Sequence, residues 1–145
     1  MLSKDLNNDK GKPNNIKHIK LSMETGIVKF LGRVTKVEGD ISIILIKPEY
    51  CDGLYRLNMY KKIKVLYWFH LRDDSKHRNV LRVIPRRHGE TEERGVFSSG
   101  SSSRPNPIGL TVVDLLLVDG CLLTVKGLDA LEGSPIIDIK PHPHV

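Results

Sequence analysis

Apolar residues recur at every second position through most of this chain, in short runs broken by glycine, proline and aspartate, and that spacing predicts strands. Residues 16–37 alternate loosely, with Ile27-Val28-Lys29-Phe30-Leu31 read as strand. Glu38-Gly39-Asp40 predicts a turn into the β-branched run Ile41 to Ile46, so the two segments make a hairpin. Leu54, Leu57 and Tyr60 or Lys61 lie three to four apart, which predicts a short helix from Gly53 to Lys62. Ile63 to Phe69 is the most apolar run and is expected at the centre of the sheet. Asp73 to Arg78 is a polar loop, and Val80 to Ile84 is a strand ended by Pro85. Asp119-Gly120 between Leu110–Val118 and Cys121–Val125 is a strong short-range hairpin signal. Ile136 to Ile139 supplies a last short strand. The fold class that follows is all-β and mostly antiparallel: a small β-barrel of about seven strands with one or two short helices. There is no internal repeat.

A length of 145 residues accommodates one domain. Met1 to Asn15 is rich in Lys, Asn, Asp and Gly and carries too little apolar surface to order itself; it is expected to be a disordered tail, with a single domain over residues 16–145. Charged residues at 28% and hydrophobic ones at 39% are ordinary for a globular protein. A net charge of +6 favours an anionic partner, with RNA the leading candidate. Cys51 and Cys121 lack C-x-x-C spacing, and no segment resembles a signal peptide or a membrane span. The expectation is a cytoplasmic protein with two buried, reduced thiols and no membrane partner. His142 and His144 have no third ligand at a suitable spacing, so no metal is expected.

The stretch that changes this picture is Gly95 to Leu110, GVFSSGSSSRPNPIGL. Ser98 to Ser103 holds five serines and a glycine, which on composition alone is a linker. Pro105 and Pro107 follow, fixing φ at their own positions and pushing Arg104 and Asn106 into extended conformations. A guanidinium and a carboxamide are thereby presented on a stiff loop, with Gly109 expected to turn the chain into the next strand. Arg86-Arg87-His88 forms a compact basic turn suited to phosphate or to the solvent.

G-V-F-x-x-x-S-x-x-R-P-N-P-I-G-L resembles the signature of the TrmO, or TsaA-like, family. Three further segments fit in the same order. They are Pro48-Glu49-Tyr50-Cys51-Asp52-Gly53-Leu54, Val65 to His70 ending in W-F-H, and Gly127 to Pro135 followed by Asp138-Ile139-Lys140-Pro141. The resemblance covers roughly residues 41–141. It implies a methyltransferase that uses S-adenosylmethionine to methylate the exocyclic amine of a threonylcarbamoyl-modified adenosine in the tRNA anticodon loop, working as a homodimer. It further implies cofactor contacts from His70, Leu71, Arg104, Glu132, Gly133, Ser134 and Pro135. Arg104 and Asn106, in the matching loop, would shape the pocket or engage RNA, and Asp129 and Asp138 would be pocket carboxylates. Asp129 and Asn106 are the candidate catalytic groups, and Arg86, Arg87 and Arg104 the candidate RNA contacts. No Gly-rich dinucleotide loop follows a strand, so the cofactor pocket is expected to be built from loops.

The chemistry sets its own demands. A sulfonium favours a nearby carboxylate, carbonyl or aromatic face. The acceptor amine is a weak nucleophile, its lone pair delocalised into the purine, so orientation matters more than strong base chemistry. The chain departs from the family pattern where A-T-R-S-P is usual: it has Ser98-Ser99-Gly100-Ser101-Ser102, with Gly100 in place of an arginine. No P-R-Q-like triplet lies between Val28 and Ile41, and Glu132 stands where Asp is usual. These departures leave a second reading, a non-catalytic RNA-binding or regulatory barrel that has lost cofactor binding. A third, a small-ligand barrel without RNA, is favoured if the Arg86–His88 turn is paired within the protein.

Overall fold

The computed structural model describes residues 24–86 and 89–143. Among these residues eight strands form in chain order: β1 (Gly32–Glu38), β2 (Ile41–Ile46), β3 (Lys62–Trp68), β4 (Arg82–Val83), β5 (Arg94–Gly95), β6 (Ile108–Asp119), β7 (Leu122–Lys126) and β8 (Pro135–Pro141). Six of them close an antiparallel barrel in the order β1-β2-β7-β6-β3-β8, and β4 and β5 pair separately. The barrel is the expected fold class, with six strands in the wall. Period two is what builds it. Ile63, Val65 and Tyr67 of β3, Ile44 and Ile46 of β2, and Leu123 and Val125 of β7 alternate inward into one core with Val34, Val113 and Ile136. Each such aliphatic side chain, fully removed from water, contributes about 1.5–3 kcal/mol. The register shifts in β1 between Val34 and Lys36 and in β6 between Leu115 and Leu117, and such bulges bend strands toward closure.

Both predicted hairpins form. Glu38 pairs with Ile41 and Asp119 with Leu122, leaving Gly39-Asp40 and Gly120-Cys121 as two-residue loops. Gly39 and Gly120 have φ of 60° and 59° at the first loop position, the pattern that favours glycine there. Asp119 is therefore the last strand residue and not part of the turn pair. The expected strand at Ile27–Leu31 does not form; the first strand begins at Gly32, where a Cβ would collide with the Leu45 carbonyl. The expected helix at Gly53–Lys62 is replaced by two 3-10 segments, Pro48–Leu54 and Leu57–Met59. Pro48 starts the first one early, and Arg56 at φ 64° interrupts the run before an α-helix can form. Within the expected loop at 73–78, a one-turn helix, α1 (Ser75–Arg78), is capped by the Asp74 side chain.

The 3-10 segments plug the barrel end at which β3 starts, with Leu54 buried and Tyr50, Cys51, Leu57 and Tyr60 packed on the core. Here the expectation of two reduced thiols is overturned: Cys51 and Cys121 form a disulfide, their Cα atoms 5.2 Å apart. Their separation of 70 residues follows no motif, and they meet because the Ile46 N–H donates to the Cys121 carbonyl, bringing the chain into the plug beside the β6–β7 turn. Among the described residues no helix is long and apolar enough to cross a membrane, and no group of His, Cys, Asp and Glu is arranged to hold a metal ion. The expected tail at Met1–Asn15 and His144 lie outside the described residues.

Candidate functional site

At the opposite end of the barrel β3 finishes and β6 and β8 begin, and three connecting segments fold over the opening. Between them lies a cleft of about 1010 Å³. Its floor is aromatic. Tyr67 of β3 and Phe69, just past its end, meet edge to face with ring centroids 5.5 Å apart. Tyr67 is paired with Gly109 across the sheet, and a Cβ at Gly109 would lie 2.5 Å from its ring atoms. Gly109 is thus not a turn residue, as the sequence suggests, but a strand position emptied to seat two rings. The Tyr67 hydroxyl reaches Thr111 Oγ1 at 3.2 Å and donates to the Asp129 carbonyl, which ties the 128–134 segment to the floor.

One wall is the serine loop, wound around Arg104. The guanidinium Nη1 donates to the carbonyls of Ser99 at 3.0 Å and Ser101 at 3.1 Å. The Ser99 and Ser101 hydroxyls accept from the N–H groups of Ser101 and Ser103 at 3.0 and 3.2 Å. Six residues that read as a linker are therefore a closed polar loop. Gly100 lines the cleft, and a Cβ there would meet nothing within 4 Å.

The R-P-N-P segment is held through its carbonyls. Its two prolines lack N–H groups, so it cannot form a ladder of its own. The Pro107 carbonyl accepts from Phe69 N–H at 2.7 Å, that of Asn106 from Ile108 N–H at 2.7 Å, and that of Pro105 from Arg78 Nε at 2.8 Å.

The structure gathers His70, Leu71, Arg86, Arg104, Asp129 and Ser134 at the cleft. Five other sequence-predicted residues, Asn106, Glu132, Gly133, Pro135 and Asp138, do not line it. Asn106 is exposed on the outer flank of its loop. Glu132 Oε1 accepts from Val37 N–H at 3.1 Å, and Gly133, at φ 90°, donates its N–H to the Val34 carbonyl while its own carbonyl accepts from Arg33 Nη1 at 3.1 Å. This Glu-Gly pair clamps the segment to β1, and Pro135 is buried at the start of β8. Asp138 accepts from Ile139 N–H and lies 3.7 Å from Lys140, away from the cleft. Arg87 and His88 lie outside the described residues. Trp68 and Phe69 are half-buried: Phe69 packs against the core, while Trp68 faces outward against Phe30 and Arg78.

Sequence reasoning missed Tyr67, Thr111 and Arg78. The available signal was an isolated glycine, Gly109, inside a strand pattern, which marks a close approach. Among the described residues, the two carboxylates held below their ordinary range are outside the cleft. Asp74 is lowered by hydrogen bonds from the His77 backbone and ring, and Asp114 by the hydrogen bond and charge of Lys62.

The profile described as the N-terminal domain of tRNA-methyltransferase O matches residues 32–144. A protein of Archaeoglobus fulgidus named S-adenosyl-L-methionine-binding protein is 53% identical over 102 residues, 70% of this chain and 69% of its own length. One from Methanothermobacter thermautotrophicus, described as a probable S-adenosyl-L-methionine-binding protein, is 50% identical over 77% of this chain and 74% of its own. The tRNA (adenine(37)-N6)-methyltransferase of Escherichia coli is 32% identical over 77% of this chain, which spans 48% of that enzyme. A crystal structure of TrmO superposes with a TM-score of 0.63 at 25% identity, covering 82% of this chain and 58% of that one. With the signature loop, the closed barrel and the profile match in agreement, the chain belongs to the TrmO family.

Proposed function

We propose that this protein binds S-adenosylmethionine in the cleft between the serine loop, the β3 end and the 128–134 segment, and methylates the exocyclic amine of an adenosine in the tRNA anticodon loop. The observation that carries this reading is the cleft itself: about 1010 Å³, with an aromatic floor and a hydroxyl-rich wall, in a member of this family. Its residues suit the cofactor. Phe69, Leu71, Leu128 and Leu131 offer an apolar slot for a purine, and the Tyr67 and Phe69 rings a face for a cation. Ser99, Ser101 and Ser134 offer hydroxyls and backbone groups to its polar end. When bound, the cofactor supplies an electrophilic methyl on a sulfonium.

The chain's own residues then position and exclude. The Tyr67 hydroxyl and the Arg104 staple hold two walls of the cleft at a set separation, so that orientation supplies most of the rate. Asp129, whose backbone Tyr67 fixes, is the candidate acceptor of a hydrogen bond or proton from the substrate amine. Arg86, exposed at the rim, takes RNA phosphate, with Arg87 beside it in sequence and Asn106 on the outer flank. Arg104, engaged with its own loop, acts on the cofactor side by shaping it. The exposed side chains of Leu71, Leu81, Phe97, Leu110 and Leu131 lie on and beside the cleft segments and favour a second copy of the chain as the homodimer partner.

Calorimetric titration with S-adenosylmethionine tests the reading, followed by methyl transfer to tRNA. Micromolar binding is expected. Arg104→Ala and Ser134→Ala should each weaken it by about tenfold, the worth of one or two hydrogen bonds, with the thermal midpoint little changed. Wild-type affinity in both variants would refute the site. Absence of binding at millimolar cofactor would favour the non-catalytic RNA-binding barrel, for which the open space at Gly100 is the motivating observation.

A further inference from the structure

The Pro105 carbonyl has a side chain as its donor, and that side chain comes from a segment far away in sequence. Arg78 ends α1, and its Nε donates to Pro105 O at 2.8 Å in a half-buried setting. Its Nη1 donates to Asp73 Oδ1 at 3.0 Å, and the guanidinium carbon lies 5.9 Å from the Trp68 ring centroid. The other Asp73 oxygen, Oδ2, accepts from Trp68 Nε1 at 3.1 Å. Trp68 is the last residue of β3, directly before the cleft residues Phe69 and His70, and its ring packs on Phe30 at 5.8 Å. Asp73, Trp68 and Arg78 therefore form a closed triangle outside the cleft, one corner of which grips the R-P-N-P loop.

We infer that Arg78 is the positioning residue of the site: it fixes the R-P-N-P loop, and through Arg104 the serine wall, against the end of β3. Pro105 and Pro107 remove two N–H groups, so the loop's placement depends on donors from elsewhere. Phe69 N–H and Ile108 N–H anchor its exit, and both belong to the β3–β6 ladder region. Arg78 alone anchors its entry among the described hydrogen bonds, one residue from Arg104. A guanidinium suits this post because its planar fork serves Pro105 and Asp73 at once while lying within cation–π range of the indole; an ammonium on a flexible stem does not. Arg78 touches no part of the cleft, so it acts through the loop and not on a ligand. Its effect on cofactor rests on the reading proposed above; its effect on the loop does not.

The test uses Arg78→Met and Arg78→Lys in the full chain, with hydrogen exchange of the 99–104 amides and cofactor titration as separate readouts. Both variants should exchange faster across 99–104 while the β3 and β6 core amides keep wild-type protection, and both should bind S-adenosylmethionine at least about tenfold more weakly, since small misplacements of a site are costly. Failure of lysine to rescue is part of the expectation. Unchanged exchange at 99–104, full rescue by lysine, or faster exchange throughout the barrel would each overturn the inference. Should the wild type bind no cofactor, the proposed function fails, and the exchange measurement still decides the positioning role.

Discussion

At the scale of single residues, the site depends on two positions whose importance lies in what they leave out or hold in place. Gly109 leaves out a Cβ that would stand 2.5 Å from the Tyr67 ring and 2.8 Å from Phe69. Gly109→Ala should therefore cost about 1–3 kcal/mol in urea unfolding, typical of overpacking, and should displace the cleft floor. Asp74 caps α1, its carboxylate accepting from the His77 N–H at 2.8 Å and from the His77 ring. Those hydrogen bonds hold the carboxyl below the ordinary aspartate range, so the cap's contribution is present above the unfolded value and is lost as pH falls through the folded one. The thermal-midpoint gap between wild type and Asp74→Ala should shrink as pH is lowered from about 5 to about 3; a gap independent of pH would exclude the ionised cap. Residues 73–78 read in the sequence only as a polar loop, and the cap became visible with the helix it starts. The Gly109 contact was not legible either, because nothing local says which ring a strand glycine faces.

At the scale of elements, the serine loop shows how far composition misleads. Its residues carry no apolar side chain to bury, yet Arg104, a few positions on, gathers two of its carbonyls and so gives it a fixed form. The stiff R-P-N-P segment was readable from its prolines, and so was the presentation of Arg104 beside the serines. That the guanidinium turns back onto the loop was not, because direction along χ angles is decided by packing. Where the family pattern has arginine, Gly100 faces open space. Gly100→Arg meets no obstacle at its Cβ and should tighten S-adenosylmethionine binding by about tenfold, the worth of a charged hydrogen bond; an unchanged dissociation constant would mean that the loop has no anionic group of the ligand within reach. The 127–135 segment divides in the same way. Ser134 faces the cleft, while Glu132 and Gly133 hold β1.

At the scale of the whole molecule, the barrel separates stability from chemistry. The cleft sits where β6 begins, and the disulfide sits just past its other end, about ten residues of strand away, or roughly 30 Å. Reduction, or Cys121→Ser, should lower unfolding stability by about 2–4 kcal/mol, as expected for a long closed loop, and leave cofactor affinity unchanged. A loss of affinity in step with stability would show that the two ends are coupled. The net charge of +6 gives the molecule a general pull on polyanions, so the RNA binding proposed above should weaken steeply between low and physiological salt.

The chain by itself determined the elements that depend on near neighbours. Alternation set the strands, Gly39 and Gly120 set the hairpin turns, and the paired prolines set an extended loop, because each is a property of φ, ψ and side-chain period over a few residues. The ordered motifs also marked the family and the cleft segments. Tertiary structure alone decided what depends on closure. Pairing β1 with β8 is what brings Glu132 and Gly133 onto β1 and leaves Ser134 to the cleft. Folding the plug onto the β6–β7 turn joins Cys51 to Cys121, and laying α1 against the loop gives Arg78 to Pro105. These contacts join residues from 27 to about 100 positions apart, and no local preference specifies them; they exist because the barrel has one closed register that buries its core.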